Sequence, residues 1–380
     1  VTRDGAPGGL SDDGRAAGAG SSRPVVGLVR EMLFNVGPAG RDHQPAARVA
    51  LGLFLPLILL MLTGRLDLAI FANFSAFAGI YGRNEPHRMR VVTQARAGLL
   101  MFGVLMGATL LARQSPGGIL DPWLSVAATT FVAWACSVVA GLWHLRPAGS
   151  LFYIFAFAAV ASVPHQPPLW EAALTSLLTI ALCLGIGLLS RVRASHRTPL
   201  GWKELRRVWR IRVAPAERRM VWVESIGYIV APAIAGCVAT AVGQAMGFGH
   251  NYWAMVASVV PLVGQTTRHR VTRGLQRVLG TVVGLAVLGG IVALRPEPWQ
   301  MVVLIALCQF GAELLITRQY FLAQVFVTPL ALLSTLLVAP AAPGTLFHDR
   351  LIDTVIGAAV GLLVVLAPVL FRRLQGSRRG

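Results

Sequence analysis

Apolar runs long enough to cross a bilayer follow one another along most of this chain, and nothing else restricts its fold as much. A helix crossing about 30 Å of hydrocarbon needs roughly 20 largely apolar residues, and in lipid every backbone polar group must be satisfied within the protein. Runs at 47–64, 66–82, 97–112, 119–142, 149–164 and 169–190 are followed by runs at 225–244, 250–264, 277–294, 299–316, 320–339 and 351–371. The pattern predicts an all-α, polytopic transmembrane bundle of about twelve helices, with ten as the lower count. The 66–82, 97–112, 149–164 and 250–264 runs are short for a full crossing. They are expected to sit in thinned bilayer or to form broken helices lined by protein. Composition points the same way: 55% of the residues are hydrophobic and only 13% are charged, against about 25% charge in a soluble domain. An ordinary soluble enzyme and a disordered chain are both excluded.

The formal charge is +18, from 34 basic and 16 acidic residues. All the basic residues are arginine except Lys203. In a soluble protein such an excess would suggest nucleic acid. Here the location of the arginines decides. With the N-terminus placed in the cytoplasm, the segments at 83–96, 191–219, 268–277 and 372–379 fall on one side. Only Arg65, Arg113, Arg295 and Arg350 fall on the other. This is a strong positive-inside bias. It predicts a multi-pass cell-membrane protein with both termini cytoplasmic and with an affinity for anionic lipids. No nucleic acid is needed to explain the charge.

The chain divides into two similar halves. Residues 1–24 read as a disordered tail, 25–190 as a first membrane repeat of about six helices, and 191–224 as a basic amphipathic cytoplasmic linker. Residues 225–371 read as a second repeat of about six, and 372–380 as a basic tail. In each half a hairpin of spans leads into a basic segment and then a glycine-bearing span. Gly103 and Gly107 are matched to Gly280 and Gly284, a small-xxx-small spacing that permits close helix packing. An even number of spans per half makes the repeats parallel. The glycine spacing suits contacts within one chain or a homo-oligomer. Cys136, Cys183, Cys237 and Cys308 lie in apolar runs without metal or disulfide spacing and read as small buried hydrophobes. No P-loop, Rossmann turn or metal-ligand cluster is present, so no enzyme, cofactor or metal is predicted.

Several pieces of the second half occur in a familiar order. His250-Asn251-Tyr252-Trp253-Ala254 opens a span; Pro261, Thr267, the basic run to Arg277, Gly280-Thr281 and Gly284 follow. Tyr320 with Thr328, then Arg350 to Asp353 with Gly357 and Gly361, come later. This order resembles the fusaric-acid-resistance-like transporters, also called aromatic acid exporters, over about 250–365. The first half resembles them weakly, with Leu68 and Ala69 where the Tyr-Trp pair would stand. The resemblance implies an inner-membrane protein exporting aromatic or other small organic carboxylates. Larger members carry a substantial cytoplasmic domain, for which this chain has only the 191–224 linker.

Within the spans, ionisable groups are few and costly, so each should face protein or a cavity. Glu313, with Gln309 one turn earlier, is the candidate proton relay; the plainer alternative is an interfacial carboxylate paired with Arg318. Asp353 and Glu171 read as acidic residues at helix starts on the outer surface. Arg273 and Arg277 are candidates for recruiting a carboxylate, although topology alone also accounts for them. Tyr252, Trp253, Tyr320 and Tyr153 are candidates for contact with an aromatic substrate, with interfacial anchoring as the alternative. Asn73 is a polar candidate for a cavity wall. Pro56, Pro232, Pro261 and Pro329 are expected to kink spans. Two other functions stay open: an anion channel, and a structural membrane protein that holds a partner or anionic lipid.

Overall fold

The computed structural model describes residues 37–38, 40, 42–115, 117, 119–164, 166–189, 206, 209, 213–247, 252–264, 266–338 and 343–377. The expected N-terminal tail and most of the amphipathic linker lie outside these residues.

The first half comprises α1 (His43–Leu62), α2 (Ala69–Ala76), α3 (His87–Arg113), α4 (Pro122–Leu142), α5 (Leu151–Ala161) and α6 (Leu169–Leu189). Then come α7 (Pro215–Ser225), α8 (Gly227–Met246), α9 (Tyr252–Ser258), α10 (Thr267–Ala293), α11 (Pro298–Leu315), α12 (Tyr320–Val338) and α13 (Pro343–Ser377). Among the described residues there is no strand, and nine helices are long and apolar enough to cross a membrane, with α7 and α8 counted as one rod. The expected count of twelve therefore separates into nine long spans and three shorter segments. These are 66–80, which is 3₁₀ at both ends of α2, the 11-residue α5, and the seven-residue α9. At 1.5 Å per residue, α5 extends about 16 Å, half of a hydrocarbon core. The 97–112 run, by contrast, belongs to a full helix of 27 residues.

Local chemistry sets the helix starts. Pro122 and Pro298 occupy first helical positions, where a missing N–H costs nothing. The Asp121 carboxylate accepts from the backbone N–H of Trp123 and Leu124 at 2.9 and 3.1 Å. At the equivalent place, the backbone N–H of Glu297 donates to Gln300 at 2.8 Å. Gly247, at φ 78°, ends α8 in the left-handed conformation open to glycine.

The helix pairings recur in order along the chain. Helix α3 packs on α5 and α6, as α10 packs on α12 and α13; α2 packs on α6, as α9 does on α13. Between the halves, α1 lies against α11 and α4 against α8. Helices α3 and α10 both have 27 residues, and both begin behind a glycine whose carbonyl accepts from an arginine Nε. The pairs are Arg90 on Gly82 at 3.1 Å and Arg270 on Gly264 at 2.8 Å.

That register moves the expected glycine match by three residues. Gly280 packs on the Phe321 carbonyl and Gln324 of α12, and Gly284 on Thr328, whereas Gly103 and Gly107 have open space where a Cβ would stand. The first pair lets two helices approach; the second faces outward, so the expected equivalence is corrected. The closest approach in the second half is α9 on α13, where Gly357 meets the Ala254 carbonyl and Gly361 the Ser258 carbonyl. Leu99, Leu110, Leu177, Leu178, Val282 and Val283 are exposed. Such surface would promote association in water, and it is the expected face toward lipid. Cys237 is exposed on the same kind of surface, not buried as expected, while Cys136, Cys183 and Cys308 are buried.

Candidate functional site

A cavity of about 110 Å³ lies where the two halves meet. Helix α2 contributes Asn73 and Phe74, the following 3₁₀ turn Phe77, and α5 Phe152 and Phe155. The second half supplies the charged and amide groups: Arg277 from α10, Gln309 and Glu313 from α11, and Arg350 from α13. Sites for drug-sized ligands usually enclose about 300–1,000 Å³, so this one suits a small molecule.

The apolar wall is a chain of aromatic edges. Phe74 meets Phe77 and Phe155 with centroids at 5.5 and 4.9 Å, and Phe77 meets Phe152 at 5.1 Å, each edge-on. Phe155 then reaches Trp253 of α9 at 4.9 Å. The ring chain thus links the two halves.

Positive charge dominates the polar side. Arg350 is 1% exposed, and its Nε and Nη1 have no hydrogen-bond partner among the described residues. Its guanidinium stacks 3.6 Å above the Trp253 ring, a desolvated cation–π contact that holds the group in place. Asp353, one turn on, makes no ion pair with it among the described residues, and its Oδ2 is unpartnered. Arg277 donates from Nη1 to Gln324 at 3.2 Å, and its Nε is unpartnered. Asn73 has neither its amide nitrogen nor its oxygen satisfied. Buried polar atoms usually have partners, so this concentration of unmatched donors marks a place built for something else.

Glu313 does not offset these arginines, because it is already engaged. Arg83 donates from Nη1 to the Glu313 side chain at 2.9 Å and to its backbone carbonyl at 2.7 Å. From Nη2, Arg83 reaches Asp42 at 3.0 Å, and Arg318 donates from Nε to the other Asp42 oxygen at 3.0 Å. A ladder Gln309–Glu313–Arg83–Asp42–Arg318 therefore runs from the cavity to the helix ends. The expected Glu313–Arg318 pair is corrected: Asp42 takes Arg318, and an arginine of the other half takes Glu313. Burial works to raise the Asp42 carboxyl, but hydrogen bonds from Arg318 and Arg83 outweigh it and hold it below its usual range. At the opposite helix ends, Arg65 pairs with Asp67 and with Glu171 of α6.

The residues singled out from sequence separate into groups. Asn73, Gln309, Glu313 and Arg277 share the cavity. Tyr252 and Trp253, 3% and 1% exposed, pack behind Arg350 in the core and not at an outer boundary. Tyr153 is fully buried beside Tyr81 and is not a lining residue. Arg273 stands apart from Arg277 and stacks on Tyr320 at 4.6 Å, so Tyr320 and Tyr153 occupy unlike surroundings. Asp353 is buried within α13 and is not an outer cap. Sequence reasoning missed Arg350, assigned to the outer loops, and the four phenylalanines. The signal was present: Arg350 belongs to the block Arg350 to Asp353.

Residues 238–364 match the family described as fusaric acid resistance protein-like. Over those residues the chain is similar to that family. That region contains every ionisable cavity residue, Arg277, Glu313 and Arg350, while the phenylalanine wall and Arg83 come from outside it. The chain is also 33% identical over 135 residues to the uncharacterized membrane protein YvaC of Bacillus subtilis (strain 168). The match takes in 35% of this chain and about a fifth, 21%, of YvaC's length. No solved structure matches the chain. With nine long apolar helices and this relative, the protein is a multi-pass membrane protein.

Proposed function

We propose that this protein exports small organic carboxylates, aromatic ones foremost, through the cavity between its halves. One observation carries the reading: two buried guanidiniums with unpartnered nitrogens face a phenylalanine-lined space whose one lining carboxylate, Glu313, is already engaged by Arg83. A carboxylate accepting from Arg350 and Arg277 restores that balance through charge-assisted hydrogen bonds, and an attached ring packs among Phe74, Phe77, Phe152 and Phe155. The similarity of 238–364 to fusaric acid resistance proteins supports the same class.

Glu313 is the proposed proton carrier. A proton on its carboxylate weakens the attraction to Arg83, which then keeps Asp42 as its ion-pair partner. Binding and protonation thereby act on neighbouring groups of one cavity, which couples them in an alternating-access cycle.

The test is uptake of a radiolabelled aromatic carboxylate into proteoliposomes. The wild-type chain is expected to accumulate it under a pH gradient. Glu313→Gln is expected to lose that drive while still exchanging substrate for substrate. Equal gradient-driven uptake by this variant overturns the relay. Uncoupled currents at every pH favour an anion channel, and no flux at all favours a structural protein.

A further inference from the structure

A second, wider hollow of about 930 Å³ opens between α8, α10, α13 and the turn after α4. Arg146, His269, Arg270 and Arg273 line it, with Glu224 as the one carboxylate among its lining residues. Arg270 is fixed through Nε to the Gly264 carbonyl, and Arg273 is held by its stacking on Tyr320. The Arg273 Nε is buried without a partner. The remaining walls are mostly aliphatic, among them Val223, Ile226, Val230 and Leu262, with Tyr228 and Thr266. Two of the aliphatic residues continue onto an exposed apolar face: Val223 is 60% and Ile226 56% exposed, followed by Ile229 and Ile234. A cationic floor that runs sideways into a greasy helix face is complementary to one molecule with an anionic head and hydrocarbon tails.

We propose that this hollow is a binding site for an anionic phospholipid. The phosphate is held by Arg146, Arg270 and Arg273, and the acyl chains lie along α7 and α8. The start of α10 and the end of α4 place the head at a helix-end level, where headgroups reside. Basic pockets between helices attract anionic lipid, each arginine contributing about fivefold in affinity. The site is separate from the carboxylate cavity and does not depend on the transport reading.

Native mass spectrometry of the purified full-length chain, titrated with phosphatidylglycerol in detergent, tests this directly. Phosphatidylglycerol is expected to bind and phosphatidylcholine is not. Arg146→Gln, an exposed turn position, and Arg273→Gln are each expected to weaken binding about fivefold. Glu224→Gln is expected to tighten it, because the one opposing charge is removed. If Arg273→Gln does not fold, the opposite signs of the other two variants still decide. Unchanged binding in Arg146→Gln and Glu224→Gln overturns the proposal. So does equal binding of phosphatidylcholine. Complete displacement by millimolar inorganic phosphate also overturns it, and assigns the hollow to a free anion.

Discussion

Arg350 concentrates the energetics of the site in one side chain. A buried guanidinium without a carboxylate is costly, and a hydrogen bond to a charged group contributes about 1.5–3 kcal/mol. Losing it should weaken carboxylate binding by about 10- to 150-fold. Arg350→Gln is therefore expected to raise the Kd of an aromatic carboxylate by that range in equilibrium binding. Arg350→Lys should recover little, since an ammonium offers no planar fork to the substrate or to Trp253. Asp42 gives a pH signature. Its folded carboxyl ionises below its ordinary value of 3.8. The contribution is thus fully present above that value and lost as pH falls through the lowered one. Melting profiles taken from about pH 5 down through pH 3.8 and below should show acid destabilisation that Asp42→Asn reduces.

At the scale of elements, the short broken helices are held by backbone contact. Helix α9 lies so close on α13 that Gly357 and Gly361 meet carbonyl oxygens, which have no flexible end to move away. Overpacking a core costs typically about 1–3 kcal/mol. Gly357→Ala and Gly361→Ala should reach or exceed the upper end, read as loss of folded protein on unfolding in detergent. Gly103→Ala and Gly107→Ala meet nothing and should remain within about 1 kcal/mol of the parent. The contrast matters for the site because α9 carries Trp253, on which Arg350 stacks. A displaced α9 should therefore also weaken carboxylate binding.

Across the whole molecule, the contacts place Asp42, Arg83, Glu313 and Arg318 at one set of helix ends and Arg65, Asp67 and Glu171 at the other. Combined with the positive-inside rule, this makes a labelling prediction. Single cysteines replacing Asn84, Pro147 or Thr317 should react with an impermeant maleimide only from the cytoplasmic side of the membrane. Cysteines replacing Gln114, Ser162 or Pro296 should react only from the opposite side. Labelling of both groups from one side would break the alternation and the parallel-halves reading with it.

The sequence by itself determined the solvent of this protein and singled out four of the cavity residues, Asn73, Arg277, Gln309 and Glu313. Runs of apolar residues admit only helices in lipid, because backbone groups there have no water to bond. A glutamate, a glutamine and an arginine inside such runs stand out because burying them is expensive. What tertiary structure decided was which groups face one another. Arg83 and Glu313 are 230 residues apart, and no spacing rule connects them. Arg350 read as a loop charge because a hydropathy window averages over neighbours and does not see where a side chain turns. The phenylalanines were invisible for the opposite reason: in an apolar run, a ring that lines a cavity and one that faces lipid have the same hydropathy. Composition sets what can be buried, but the packing of α2, α5, α10, α11 and α13 selects which buried groups share a space and so which ligand that space can hold.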